Sequence, residues 1–306
     1  MPKQFPFIAL FITTVIYGLT NILIRFASKE NYFSTVFFVL LFSTIMFLPI
    51  LKLGSGLSEV KSLRQLRLIV PLGFFVAATW FLIYFAIMNT SIANAVLGYM
   101  TTPIFVIVLS PFLLKEHINK PIAAALFLAL LGVLLIFDPQ NLIRAIAPVG
   151  IISGIFAGFA SAMMEIIGRK LKNQYGPFSL TFLGTSMGML FMFPTFLVTG
   201  LIIPNTTSVI VILLLGLGGV SGSTLLYYGL KHIPASSTSI VLLLEPFVSI
   251  VAAFIIFIEV PSILTIIGAV LLVAADIIII QNQRQDLIRT THRKHSAHDS
   301  RRHFPV

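Results

Sequence analysis

The chain has 306 residues, 58% of them hydrophobic and 10% charged, with a mean hydropathy of +1.03. Uncharged runs at this density belong in lipid rather than in a soluble core. Cysteine is absent, which excludes disulfides, thiol nucleophiles and cysteine metal sites, and the net charge of +10 sits in loops and a tail, as topology requires, not on a nucleic-acid surface.

Ten apolar stretches of spanning length are predicted in order. The first five are Phe5–Ala27, Phe33–Leu53, Leu68–Met88, Ile92–Leu114 and Ile122–Phe137. The second five are Val149–Gly168, Phe178–Leu201, Ser208–Leu230, Ala235–Ile258 and Ile263–Ile280. Between them lie Gly54–Gly56, Lys120-Pro121, Asp138-Pro139, Tyr175-Gly176-Pro177 and Pro204-Asn205, the residues expected at breaks. No small-x-small cleavage site follows the first stretch, so it reads as a retained helix.

With the N-terminus inside, all of the 20 basic residues except Arg25, Lys29 and Arg144 fall on the cytoplasmic side. That bias predicts a multi-pass protein of the cell membrane with both termini cytoplasmic. Five spans per half make the second half enter from the opposite face. The expected fold is therefore an all-α integral membrane protein, ten transmembrane helices in two inverted five-helix repeats, at 1–140 and 141–280. Residues 281–306 are expected to form a disordered basic cytoplasmic tail. An offset of 143 residues superposes Tyr84 on Tyr227, Pro103 on Pro246 and Glu116 on Glu259.

Tyr17-Gly18 and Asn21, Pro103 with Glu116, and Leu244-Glu245-Pro246 with Glu259 resemble the EamA-type members of the drug/metabolite transporter superfamily. The resemblance covers residues 5–280. It implies a ten-helix carrier, of a kind that often exports amino acids or related metabolites. The cavity would be lined mainly by the first, third, fourth, sixth, eighth and ninth helices. Tyr17 stands where the family commonly has tryptophan, and the basic residue ending the first span is Arg25.

Helical spacing identifies the faces that could line such a cavity. Thr14, Tyr17, Asn21 and Arg25 share one face of the first span, and Gly158, Ser161, Glu165 and Arg169 share the matching face of the sixth. Gly73, Ala77, Trp80 and Tyr84 form a stripe on the third, matched by Gly216, Val220, Ser223 and Tyr227 on the eighth. The fourth and ninth offer Ala95, Gly98 and Thr102, and Thr238, Val241 and Glu245. Glycines at four-residue spacing, such as Gly150, Gly154 and Gly158, most often let helices pack closely with no ligand involved.

Glu245 is the sharpest signal. A mid-span carboxylate costs about 2.5–3.5 kcal/mol on insertion scales, so it needs a cavity, a partner or a proton. Pro246 beside it removes an amide donor and permits a kink. The expected substrate contacts are Tyr17, Asn21, Trp80, Tyr84, Thr102, Ser161, Ser223, Tyr227 and Glu245. Coupling or gating is assigned to Arg25, Glu165 and Glu245. For Glu165 the alternative is an interfacial pair with Arg169, and for Arg25 and Asp276 it is snorkelling to headgroups. His292, His295 and His298 read as part of a lipid-associated tail, and no metal or cofactor motif is present.

The composite expectation is a secondary transporter, an exporter of a small amphiphilic or zwitterionic metabolite by alternating access, with proton coupling as one mode. A flippase for lipid or lipid-linked precursors is the alternative. An intramembrane enzyme lacks a convergent acid–base set, because His117 and His232 fall in loops. The partners expected are a small-molecule substrate, the lipid bilayer and protons, with no nucleic acid.

Overall fold

A computed structural model describes residues 5–24, 26, 32–53, 59–60, 65–90, 92–136, 148–199, 206–248, 251, 263–264 and 266–282. Among these every regular element is helical. The first half contributes α1 (Phe5–Ile24), α2 (Tyr32–Leu53), α3 (Leu66–Asn89), α4 (Ile92–Tyr99), α5 (Thr102–Leu113) and α6 (Lys120–Ile136). The second contributes α7 (Pro148–Leu171), α8 (Pro177–Thr199), α9 (Thr206–His232), α10 (Ala235–Val241) and α11 (Ile266–Asn282). A 3₁₀ turn, Leu242–Leu244, follows α10 directly.

The helices are patterned inside out. On α1 the apolar Phe5, Ile8, Phe11, Ile12 and Leu19 are exposed, whereas Thr13, Thr14, Gly18 and Asn21 are buried. On α7, Val149, Ile152 and Phe156 face outward, and Ser153, Ala157, Ser161 and Glu165 face inward. Lipid accepts the apolar side, so the small and polar residues collect between helices. Buried hydroxyls bond backward along their own helix, as Thr13 does to the Ala9 carbonyl at 2.9 Å and Ser43 to that of Val39 at 2.7 Å.

Seven helical segments among the described residues are long and apolar enough to cross a membrane. Lys120–Leu135, Ala235–Val248 and Ile266–Asn282 are apolar but shorter. The chain is thus a multi-pass membrane protein. The fourth stretch, expected as one helix, is instead α4 and α5, parted at Met100 and Thr101. Pro103 has no amide to offer the Tyr99 carbonyl, and the Thr102 hydroxyl donates to that oxygen at 2.7 Å. The ninth stretch tightens into its 3₁₀ turn for the same reason. Pro246 cannot serve the Leu242 carbonyl, so the Glu245 amide bonds it.

Glycine sets the closest approaches. α7 lies along α3, α4 and α5, and Gly154 meets Gly98 of α4 with backbone nearly touching backbone. A Cβ on Gly154 would stand 2.5 Å from the Ala95 carbonyl oxygen and 3.2 Å from the Gly98 Cα. The packing expectation for Gly150, Gly154 and Gly158 is met in this geometry. Gly154→Ala is expected to destabilise the protein by about 1–3 kcal/mol, since neither neighbour can yield. Its thermal unfolding midpoint in detergent should fall clearly below that of an Ala change at the exposed Phe156.

Candidate functional site

Asn21 and Glu245 join the two halves in the interior. The Asn21 Nδ2 donates to Glu245 Oε1 at 2.5 Å, with both side chains buried. The turn before Pro246 directs this contact: α10 stops, the chain tightens, and Glu245 faces α1. A carboxylate here gains a neutral donor but no cation from that bond.

A cleft of about 570 Å³ lies against the pair. Its wall comprises Tyr17, Thr20, Asn21, Ile24, Val76, Thr79, Trp80, Ile83, Tyr99, Met164, Ser223 and Glu245. Tyr17 and Ser223 share a hydrogen bond at 3.3 Å, either hydroxyl being able to donate. Glycines seat the rings: a Cβ on Gly222 would strike the Tyr17 ring, and one on Gly219 would stand 2.7 Å from Trp80 Cζ2. The result is a mostly apolar, aromatic chamber with a carboxylate, an amide and hydroxyls at one wall, the lining expected of a small-molecule site.

Of the residues singled out in the sequence, Tyr17, Asn21, Trp80, Ser223 and Glu245 come together in this wall. Ser161 lies behind it, its Oγ 3.1 Å from the Tyr99 hydroxyl. Tyr84 and Tyr227 are buried in the packed interior and do not line the cleft. Tyr227 stacks so closely on Gly168 that a Cβ there would collide with its ring. Arg25 lies outside the described residues, as do Glu259 and the His292, His295 and His298 tail. Tyr99 is a further aromatic of the wall. It stands four residues after Ala95 and three before Thr102, so helical spacing places it on their stripe.

A second, smaller cavity of about 230 Å³ adjoins the first and shares Tyr99 and Glu245 with it. Thr102, Glu165, Ser239 and Leu242 are among its other walls. Glu165 is fully buried, and neither of its carboxyl oxygens has a hydrogen-bond partner among the described residues. Ser239 is the adjacent polar group, but its hydroxyl does not reach either oxygen with hydrogen-bond geometry. The simple pairing of Glu165 with Arg169 one turn on is therefore corrected, because Arg169 turns to a different acid. Asp276 is corrected too: it is buried on α11 rather than extended to the surface.

That other acid is Glu116, in the loop joining α5 to α6. Arg169 Nε donates to its Oε1 at 3.2 Å, and another guanidinium nitrogen donates to the Leu230 carbonyl near the end of α9. Glu116 also accepts the Ala235 amide at 3.0 Å, the Ser236 amide at 3.3 Å and the Ser236 hydroxyl at 3.2 Å. One carboxylate thereby caps the start of α10 from across the bundle, where unsatisfied amides favour negative charge. Lys172, just past α7, has its ammonium drawn below the ordinary lysine value by burial, with the neighbouring Arg169 charge adding to the effect. At the same end Glu59 accepts the Gly176 amide and the Ser179 hydroxyl, each at 2.7 Å, and Asn119 donates to Asn282 at 3.1 Å. Each of these links joins the first half of the chain to the second.

A helical bundle with an apolar exterior, an aromatic cleft with a buried acid–amide pair in its interior and helices broken beside that cleft is the frame of a membrane transporter. The chain belongs to the EamA-like transporter family, whose model matches residues 4–138 and 148–281. It is 31% identical over 160 residues to an uncharacterized transporter of Helicobacter pylori, and it spans about half (52%) of that relative's length. An uncharacterized transporter of Archaeoglobus fulgidus is 25% identical, with 88% of this chain and 94% of that one aligned. A protein of Rickettsia conorii named as an S-adenosylmethionine uptake transporter is 26% identical, with 88% of each chain aligned. One solved crystal structure superposes with a TM-score of 0.75 at 14% identity, over 91% of this chain and 97% of that one, a likeness of fold alone. Family and relatives place the chain among transporters.

The capping geometry makes a graded prediction. Glu116→Gln keeps an acceptor for the Ala235 and Ser236 amides but loses the ion pair, whereas Glu116→Ala loses both. Loss of a cap costs about 1 kcal/mol, so the Ala variant should unfold at a lower temperature than the Gln variant, and both below the parent. Thermal unfolding of the purified proteins in one detergent measures the order.

Proposed function

We propose that the chain carries a small metabolite with an amino or other cationic group across the membrane by alternating access, with Glu245 as its anionic contact. The observation that carries this reading is the Asn21–Glu245 pair set in the wall of the aromatic cleft. Asn21 orients the carboxylate without neutralising it, so the negative charge is directed at the cleft. Trp80, Tyr17 and Tyr99 line the same cleft, and cations are attracted to aromatic faces when desolvated. Ser223 supplies a hydroxyl to a polar end of the substrate, and Ser161 acts through Tyr99. When substrate leaves, a proton takes its place on Glu245.

Under this proposal the ten spans form two inverted repeats, and both termini are cytoplasmic. The end held by Glu116 and Arg169 is then the closed cytoplasmic gate. In the sequence, Arg25 stands 144 residues before Arg169 and Glu259 stands 143 after Glu116. We therefore assign Arg25 a role in closing the outer face. Arg25→Ala retaining normal substrate affinity and exchange rate would remove that assignment.

Outward transport is proposed on the family resemblance of the residues. The Rickettsia relative is named for uptake, so flux assays in both directions are required. Its named substrate also carries an amino group and a positive charge, which makes S-adenosylmethionine a reasonable first member of a ligand screen.

The test is a thermal-shift screen against amino acids, polyamines, nucleosides, S-adenosylmethionine and lipid precursors, because a ligand of the folded state raises apparent stability by mass action. A cationic or zwitterionic hit is expected, lost in Glu245→Gln and weakened in Trp80→Ala. Stabilisation by lipid precursors alone would replace this reading with a flippase. The ionised carboxylate is the form that binds an amine. Affinity should therefore be full at high pH, fall as the pH drops through the Glu245 titration, and become flat with pH in Glu245→Gln.

A further inference from the structure

Glu165 is a buried acid beside the cleft that the metabolite contact does not use. Its side chain has no exposure, both oxygens lack a hydrogen-bond partner among the described residues, and it lines the smaller cavity. An uncompensated carboxylate inside a membrane protein is strongly destabilising, so a positive partner must be supplied from outside the chain or the acid must hold a proton. Ser239 faces the same cavity, and its hydroxyl oxygen is likewise buried without a partner among the described residues.

The surroundings are those of an ion site. Two interrupted helices meet there: the α4–α5 break contributes Tyr99, Met100 and Thr102, and the 3₁₀ turn contributes Leu242 and Leu243. The carbonyls freed at the two breaks are already served, so the oxygens on offer to a hard cation are those of the Glu165 carboxylate and the hydroxyls beside it. The cavity has less than half the volume of the neighbouring cleft, which suits a small ion better than a metabolite. Glu245 lies on the shared wall, so occupancy of one cavity is felt electrostatically in the other.

We propose that the Glu165 cavity binds one small monovalent cation, a sodium ion or a proton, at a site separate from the metabolite contact at Glu245. Ser239 and Thr102 supply its hydroxyl oxygens. The titratable groups facing Glu165 are Tyr99 from α4, Tyr227 from α9, Tyr17 from α1 and Glu245 beyond α10. Among the described residues no titratable side chain of α3 or α5 lines the cavity, and Arg169, one turn along α7, is engaged by Glu116. A cation at Glu165 offsets the second negative charge beside Glu245, and its release would accompany the change of access. The place of this step in a transport cycle rests on the carrier reading, but the binding site itself does not.

The chain carries its own reporter, because Trp80 is its one tryptophan and stands in the adjoining cleft. Trp80 emission and thermal unfolding of the purified full chain are followed while NaCl replaces N-methyl-D-glucamine chloride, with KCl as a control. They are followed separately from pH 5 to pH 9 without sodium. A saturable sodium response is expected, abolished in Glu165→Gln and retained in Glu245→Gln, or else a component of the pH response that Glu165→Gln removes and Glu245→Gln keeps. If the occupant is sodium, Ser239→Ala raises the half-saturating concentration about tenfold. Protons then compete for the same carboxylate, weakening the apparent sodium affinity about tenfold per pH unit below its titration. If the occupant is a proton, only the pH arm responds.

A folded parent protein indifferent to both sodium and pH would overturn the proposal. So would responses in both arms that Glu165→Gln leaves unchanged. A cation response mapped to Glu165 in a protein that neither binds nor moves any metabolite would instead defeat the carrier reading and leave the ion site standing.

Discussion

Inside a bundle surrounded by lipid, water is scarce, and each inward-turned polar group must find its partner on the protein or on a cargo. That constraint orders the whole interior. Hydroxyls bond their own helices, Asn21 reaches across to Glu245, and Glu116 gathers an arginine and two backbone amides at one end. None of the described residues answers the Glu165 carboxylate, nor the buried hydroxyls of Ser110, Tyr175, Tyr227, Thr238 and Ser239.

Two prolines set where this network can form. Pro103 and Pro246 each withdraw one amide from a helix, and each leaves a carbonyl that the local chain must serve. Thr102 serves the first with its side chain, and Glu245 serves the second with its backbone. The difference matters, because using the backbone lets the Glu245 carboxylate turn toward α1. The same 143-residue offset that relates the two prolines relates Thr102 to Glu245. One position thus carries a neutral hydroxyl in one half and an acid in the other.

Much of this is legible in the amino-acid sequence. Uninterrupted apolar stretches mark the membrane helices, because lipid imposes a length and a composition. Glu245 stands out for its cost, and Tyr17, Asn21 and Ser223 for their spacing. The helical period fails where the helix itself stops. Tyr99 fits the spacing of Ala95 and Thr102 but is one aromatic among many in an apolar stretch, and the fourth stretch reads as one element although it folds as two. Partners across the bundle are harder still. Arg169 lies one turn from Glu165 in sequence yet pairs with Glu116, since the end of the bundle brings the loop after α5 within reach. Tyr84 and Tyr227 share a stripe with cleft residues but point into packing, and no periodicity distinguishes those two fates.

The central claim is that the cleft beside Asn21 and Glu245 is the transport path. The chain's lack of cysteine permits a direct test with one introduced thiol at a cleft residue, Ser223→Cys. A membrane-impermeant maleimide is applied to either face of oriented vesicles, with and without a ligand found to stabilise the protein. The account predicts labelling from both faces, because access alternates, and slowing from either face when the ligand is bound. Labelling from neither face, or a rate indifferent to a bound ligand, would contradict it.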